Sequence, residues 1–257
     1  MSNDKTGAVK RRSPSLPIAV VIGSLFLYAC AGNEESFEEA FINDITDAYE
    51  TAQRSVRSGN YRRGIQIFEA LQARFPFSDL AKQIQLELMF AYHKNGSQEQ
   101  AIDAADTFMR ENPTHENIDY ALYIKALAYY EKDPGLLERL FRKDTRNRPP
   151  KEADLAYSTL RRLVERYPAS EYAPDAEQRM LHLKNRLSDY ENSVADFYLR
   201  REAYVAALNR AKDALERYNG APGNEESLEI MIAAYEGLGM TELAADTRRV
   251  RDNTFPN

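Results

Sequence analysis

Few side chains in this 257-residue chain could do covalent or metal chemistry: one cysteine, Cys30, and three histidines, His93, His115 and His182. One thiol can neither close an intramolecular disulfide nor build a multi-cysteine zinc or iron–sulfur centre, so Cys30 has to be explained by its position. No histidine has a second His and a Glu at His-Glu-x-x-His spacing, which would put two imidazoles on one helical face for zinc. A Gly-x-Gly-x-x-Gly turn, a Gly-Lys-Ser/Thr phosphate loop and a Gly-x-Ser-x-Gly elbow are also missing. Carboxylates such as Glu138 and Asp189 sit among many others on predicted solvated helical faces, and none forms a distinguishable acid–base pair. The expectation is a protein that is not an enzyme and has no cofactor and no metal. With 34 Lys and Arg against 40 Asp and Glu, the formal net charge is -6, which argues against nucleic acid because phosphate neutralisation needs a basic face. Apolar residues at 43% and charged residues at 29% are the composition of a folded chain.

The elements around Cys30 account for it. Lys5, Lys10, Arg11 and Arg12 form a cationic start, and residues 16–29 are an apolar run that ends at the cysteine. The run is shorter than the ~20 residues a stable spanning helix needs and has no basic stop-transfer cluster behind it, the layout of a cleaved signal peptide over 1–29. Leu27-Tyr28-Ala29-Cys30 resembles the bacterial lipoprotein cleavage box, in which the thiol is acylated and the cysteine becomes the first residue. Each buried methylene contributes ~0.8 kcal/mol, so several acyl chains on Cys30 would hold the chain on a membrane permanently. The alternative is an ordinary signal sequence with an incidental thiol. Ala31 rather than Asp follows the cysteine, and by resemblance to this class that implies export to the outer membrane. Removing 1–29 leaves 30 basic against 39 acidic residues, a balance of -9 that would not cling to anionic lipid by charge. Residues 30–43, with Glu34, Glu35, Glu38 and Glu39, read as an acidic flexible tether.

Internal repetition then sets the fold as all-α, a superhelix of about five tetratricopeptide (helix-turn-helix) repeats. Gly64, Phe68, Leu71 and Pro76 have the small–aromatic–apolar–proline spacing of a second repeat helix. The same spacing recurs as Ala101, Ala105, Phe108 and Pro113, as Ala156, Leu160, Leu163 and Pro168, and as Ala207, Ala211, Ala214 and Asn219. A fifth unit carries Ala244 and Pro256, with Arg248 and Arg251 in place of apolar groups. Terminators at 76, 113, 168, 219 and 256 are 37, 55, 51 and 37 residues apart, so two units carry extra chain. In the third the excess is an insertion at about 134–152; in the fourth it is a long helix starting at Tyr172-Ala173-Pro174-Asp175. The division expected is 44–168 for three N-terminal repeats and 169–257 for two C-terminal ones. A small residue lets a neighbouring helix approach, a large one fills the gap, and proline stops the helix. Tyr92, Tyr129, Tyr157 and Tyr235 read as repeat core. The insertion carries the one basic patch, with Arg139, Arg142, Lys143, Arg146, Arg148 and Lys151; it reads as a solvated loop or as a contact for accessory lipoproteins or membrane-proximal phosphate.

A lipoprotein box followed by five such units resembles the BamD family, lipoproteins of the machinery that assembles β-barrels in the Gram-negative outer membrane. The resemblance rests most specifically on Arg74-Phe75-Pro76-Phe77-Ser78, on Gln85-Leu86-Glu87-Leu88, on Asn112-Pro113-Thr114-His115, on Asn185-Arg186-Leu187 with Tyr190-Glu191, and on Ala206-Ala207-Leu208-Asn209-Arg210. His93 stands where the family has Tyr and Tyr204 where it has Trp. The resemblance implies an outer-membrane scaffold, lipid-anchored at the periplasmic face, that helps recognise, insert and fold barrel proteins alongside accessory BAM lipoproteins. It implies docking on a BamA-like barrel protein with POTRA domains, with Asn209 and Arg210 in that contact. It also implies capture of unfolded barrel substrates through their terminal signal, with Arg62, Phe75, Phe77 and Ser78 as the matching positions. From the residues alone, Arg210 can be a plain surface arginine, and Phe75 and Phe77 can be packing between repeats. Two other readings stay open: a periplasmic tetratricopeptide lipoprotein scaffolding cell-wall enzymes, and an enzyme whose site is assembled from the insertion.

Overall fold

A computed structural model describes residues 45–132 and 149–256. The signal peptide, Cys30 and the acidic tether lie outside them, as do residues 134–148 of the basic insertion. Two units divide at residue 44, and the described residues all belong to the second, 45–257.

The described residues form ten helices: α1 (Ile45–Arg57), α2 (Tyr61–Arg74), α3 (Ala81–Lys94), α4 (Gln98–Glu111), α5 (Ile118–Lys132), α6 (Lys151–Arg166), α7 (Ala173–Leu199), α8 (Tyr204–Arg217), α9 (Asn224–Gly237) and α10 (Thr241–Thr254). Each packs on the next along the chain, and next-but-one packing joins α1 to α3, α3 to α5 and α7 to α9. Odd-numbered helices therefore crowd on one side while even-numbered ones splay on the other, which is how a helix-pair array curls. The all-α repeat fold read from the sequence is the fold observed.

The repeated spacing corresponds to burial. Gly64, Phe68 and Leu71 are buried in α2, Ala101, Ala105 and Phe108 in α4, Ala156, Leu160 and Leu163 in α6, and Ala207, Ala211 and Ala214 in α8. Smallness at the first position is a steric requirement: a Cβ on Gly64 would lie 2.5 Å from Val56 Cγ2 of α1. In α10 only Ala244 is buried, so the arginines at 248 and 251, where other units have apolar groups, lie on a polar helix. Tyr157 and Tyr235 are buried and Tyr92 and Tyr129 pack half-buried against the core.

Nine helices run 13 to 16 residues and α7 runs 27, a rod of roughly 40 Å at ~1.5 Å per residue. Pro174 opens it, where a missing N–H costs nothing, and neither glycine nor proline interrupts it. Its first half, through Ala173, Ala176, Leu183 and Leu187, packs into the central apolar cluster, and Ala195 in its second half belongs to the C-terminal one. Between these lies a polar seam: Asn192 Nδ2 donates to the Gly223 carbonyl at 2.6 Å and Ser227 Oγ donates to Asn192 Oδ1 at 2.6 Å. This ties α7 to the start of α9 by groups whose exchange for apolar ones would leave buried partners unpaired.

The turns inside four pairs share one hydrogen-bond pattern, closed by Asn60 N–H to Ser55 O, Ser97 to Tyr92, Ala203 to Tyr198 and Met240 to Tyr235. Each needs one left-handed residue just past the helix, supplied by Gly59 (φ 82°), Gly96 (φ 76°) and Gly239 (φ 72°) but by Glu202 (φ 59°) between α7 and α8. A side chain there costs about 1 kcal/mol. Accordingly, chemical denaturation should find Glu202→Gly stabilising by up to ~1 kcal/mol and Gly96→Ala destabilising by about the same amount. Phe108→Ala, which empties a fully buried site in the central cluster, should cost ~3–5 kcal/mol in the same experiment.

Candidate functional site

Arg210 lies in the middle of α8, one helical position from the exposed Asn209. Its Nη1 donates to Glu191 Oε2 of α7 at 3.0 Å, and the two side chains differ sharply in exposure, 44% for Arg210 and 9% for Glu191. Glu191 is therefore a carboxylate held inside the α7–α8 seam with its charge met by an arginine whose outer edge faces water. The hydrogen bond that Arg210 donates to Glu191, ahead of the opposing effect of burial, holds its guanidinium even more firmly protonated than usual. Loss of Arg210 would leave a buried anion unmet, so this side chain has a structural task whatever else it touches. Glu191 belongs to the site on this geometry. Its position in Tyr190-Glu191 is visible in the sequence, but nothing there says that residue 191 meets residue 210 across two helices.

At the other end of the array, Phe75 caps α2: its N–H reaches the Leu71 carbonyl at 2.8 Å, and its half-buried ring packs on the N-terminal apolar cluster. The Arg74 guanidinium lies 5.8 Å from the centroid of that ring. Phe77, two residues on, is 98% exposed. Ser78 turns the chain into α3, its N–H bonded to the Phe75 carbonyl at 3.2 Å and its carbonyl accepting from Ala81 N–H at 3.0 Å, while its Oγ is buried without a partner. These three residues form one corner. Arg62 does not join them: it sits in the first turn of α2, and thirteen residues of helix at ~1.5 Å each separate it from Phe75 by roughly 20 Å. Of the corner residues, Phe77 alone presents a large apolar surface to a partner and Phe75 divides its ring between core and solvent.

The histidines are dispersed and locally engaged. His93 is buried with Nδ1 3.5 Å from Gln98 Oε1 and 3.6 Å from Glu131 Oε2; the His115 ring meets Phe108 edge-on and accepts the Asn117 N–H; His182 lies beside Tyr130. Among the described residues no group of His, Cys, Asp and Glu could hold a metal ion, and no helix is long and apolar enough to cross a membrane.

The model of the YfiO family, described as an outer membrane lipoprotein, matches residues 43–250. Among curated relatives, the outer membrane protein assembly factor BamD of Neisseria meningitidis serogroup A is 40% identical over 235 residues, covering 90% of this chain and 88% of its own. BamD of Vibrio cholerae is 40% identical over 202 residues, covering 79% of this chain and 84% of its own. Among solved structures, the crystal structure of MamA protein aligns over 81% of this chain and 90% of its own with a TM-score of 0.36 and 15% identity. The fold rests on this chain's own helix pairing and not on that likeness. With the family model matching residues 43–250 and relatives at this identity, the chain belongs to the YfiO (BamD) family of outer membrane lipoproteins.

Proposed function

We propose that this chain is a non-catalytic scaffold that assembles β-barrel proteins into the outer membrane, held at the periplasmic face through acylated Cys30. The observation that carries this reading is the family match itself, since the relatives bear the name of outer membrane protein assembly factor and the family model matches residues 43–250. The α7–α8 seam would dock a BamA-like barrel protein through its POTRA region, with the solvent edge of Arg210 and neighbouring Asn209 as the contact. The α2–α3 corner of Phe75, Phe77 and Ser78 would take the terminal signal of an unfolded barrel substrate, with Arg62 as a separate cation near the start of α2. Signals of this kind alternate large apolar and polar side chains, and an extended segment of that pattern suits isolated apolar anchors beside free polar edges.

The geometry sharpens the test of the docking contact. In membranes solubilised in mild detergent, a POTRA-bearing barrel protein should copurify with the wild-type chain, and its recovery should fall at least about tenfold with Arg210→Glu. Because that change also leaves Glu191 unmet, at a cost of about 1–3 kcal/mol, Glu191→Gln is the control: it keeps a hydrogen-bond acceptor for Arg210 and should leave recovery unchanged. Equal losses in both variants would make Arg210 a purely structural residue. Copurification of cell-wall enzymes and never of a barrel protein would overturn the assembly role altogether.

The substrate corner is tested by photocrosslinking from positions 75 and 77 to a barrel-signal peptide. Adducts are expected at both, and more strongly at 77 because its ring is free in water. Their absence, with barrel-protein binding intact, would remove the corner from the function.

A further inference from the structure

Asparagine followed by glycine occurs twice in this chain, as Asn95-Gly96 after α3 and Asn219-Gly220 after α8. The pair has a chemistry of its own. Glycine has no side chain to shield its amide nitrogen, which can reach the side-chain carbonyl of the asparagine before it, and asparagine is among the thermolabile residues.

The two turns treat that nitrogen in opposite ways. At the first, three successive N–H groups are bonded, Asn95 to the Ala91 carbonyl at 2.9 Å, Gly96 to that of His93 at 3.1 Å and Ser97 to that of Tyr92 at 2.9 Å. Asn95 Nδ2 also donates to Ser97 Oγ at 2.9 Å, so the attacking nitrogen and the leaving amide are both held. At the second, both residues are exposed, and neither their N–H groups nor the Asn219 side-chain amide has a partner among the described residues. Gly220 is left-handed (φ 79°) and lies between Tyr218 and Ala221, which are buried. The contact made here is on the main chain: Lys184 Nζ of α7 donates to the Asn219 carbonyl oxygen at 2.8 Å. That oxygen belongs to the same peptide group as the Gly220 nitrogen. When the nitrogen gives up its proton, negative charge spreads onto the oxygen, and the ammonium stabilises it there.

We propose that Asn219 is a site of spontaneous deamidation, assisted by Lys184, and that the bonded turn at Asn95 protects its own pair from the same reaction. The deprotonated Gly220 nitrogen attacks Asn219 Cγ, the new C–N bond closes a five-membered imide, and the side-chain nitrogen takes up a proton and leaves as ammonia. Water then opens the imide at either carbonyl, giving aspartate or the β-linked isoaspartate. Both products put a carboxylate beside Lys184. The β-linked one also lengthens the backbone by one carbon between two buried residues, at the junction of α8 and α9. The inference stands on this turn and does not rest on the docking or substrate roles assigned above.

The test ages the full chain in detergent in mildly alkaline buffer and follows both asparagines by peptide mass spectrometry, so that each molecule carries its own reference. Asn219 should convert at least about fivefold faster than Asn95, the factor expected for breaking one or two hydrogen bonds before attack. In Lys184→Met, whose fold a thermal melt verifies, conversion at Asn219 should slow at least about threefold while that at Asn95 holds. Equal rates at the two sites, or faster conversion at Asn95, would overturn the assignment of the site. An Asn219 rate unchanged in Lys184→Met would overturn the part given to the lysine.

Discussion

Every helix pair in this chain has an apolar face that its own two helices cannot cover, and burial of that face by the following pair is the constraint on which the rest depends. Phe68 and Leu160 are fully buried because a small residue four positions earlier lets the neighbouring helix come close enough to enclose them, and Phe108 because Ala101, seven positions earlier, does the same. At Gly64 the approach leaves no room for a methyl group. Contacts of this kind are almost all between neighbours, so stability is distributed along the array.

The long helix α7 is where the array departs from simple repetition, and the docking candidate sits on it. By running through the central cluster and into the C-terminal one, it makes the last repeats a continuation of the same rod. The junction is polar. Asn192 and Ser227 close hydrogen bonds beside the Gly223 carbonyl, and Glu191, one residue from Asn192, turns to the other side and meets Arg210. Apolar packing is non-directional, whereas these bonds fix how α8 and α9 are set on α7. The side chain with the strongest functional claim in the C-terminal half is thereby also part of the device that orients that half.

The two candidate protein contacts differ in physical character. At the α7–α8 seam a guanidinium is half withdrawn from water and pre-positioned by a buried carboxylate, an arrangement that lowers the cost of fixing a long side chain at an interface. At the α2–α3 corner the features are a solvated ring, a ring shared with the core and an unpaired buried hydroxyl. An array of paired helices can carry such different surfaces because the outward positions of each repeat are free of packing duties.

The helical class, the repeat spacing and the positions of the helix ends were legible in the sequence, because they follow from local rules: a period of small and large residues, and proline or a left-handed turn where a helix stops. The resemblance to the BamD family was legible for the same reason, carried by short runs of adjacent residues. What a single chain of letters could not contain was any pairing between distant positions. Arg210 could be placed on a helix face, but its salt bridge to Glu191 exists only because α7 and α8 lie side by side. Arg62 could be grouped with Phe75 by the family pattern, but the intervening rigid helix holds them roughly 20 Å apart at ~1.5 Å per residue. Local periodicity determined what the helices are, and tertiary packing decided which of their polar side chains meet one another, as Glu191 meets Arg210.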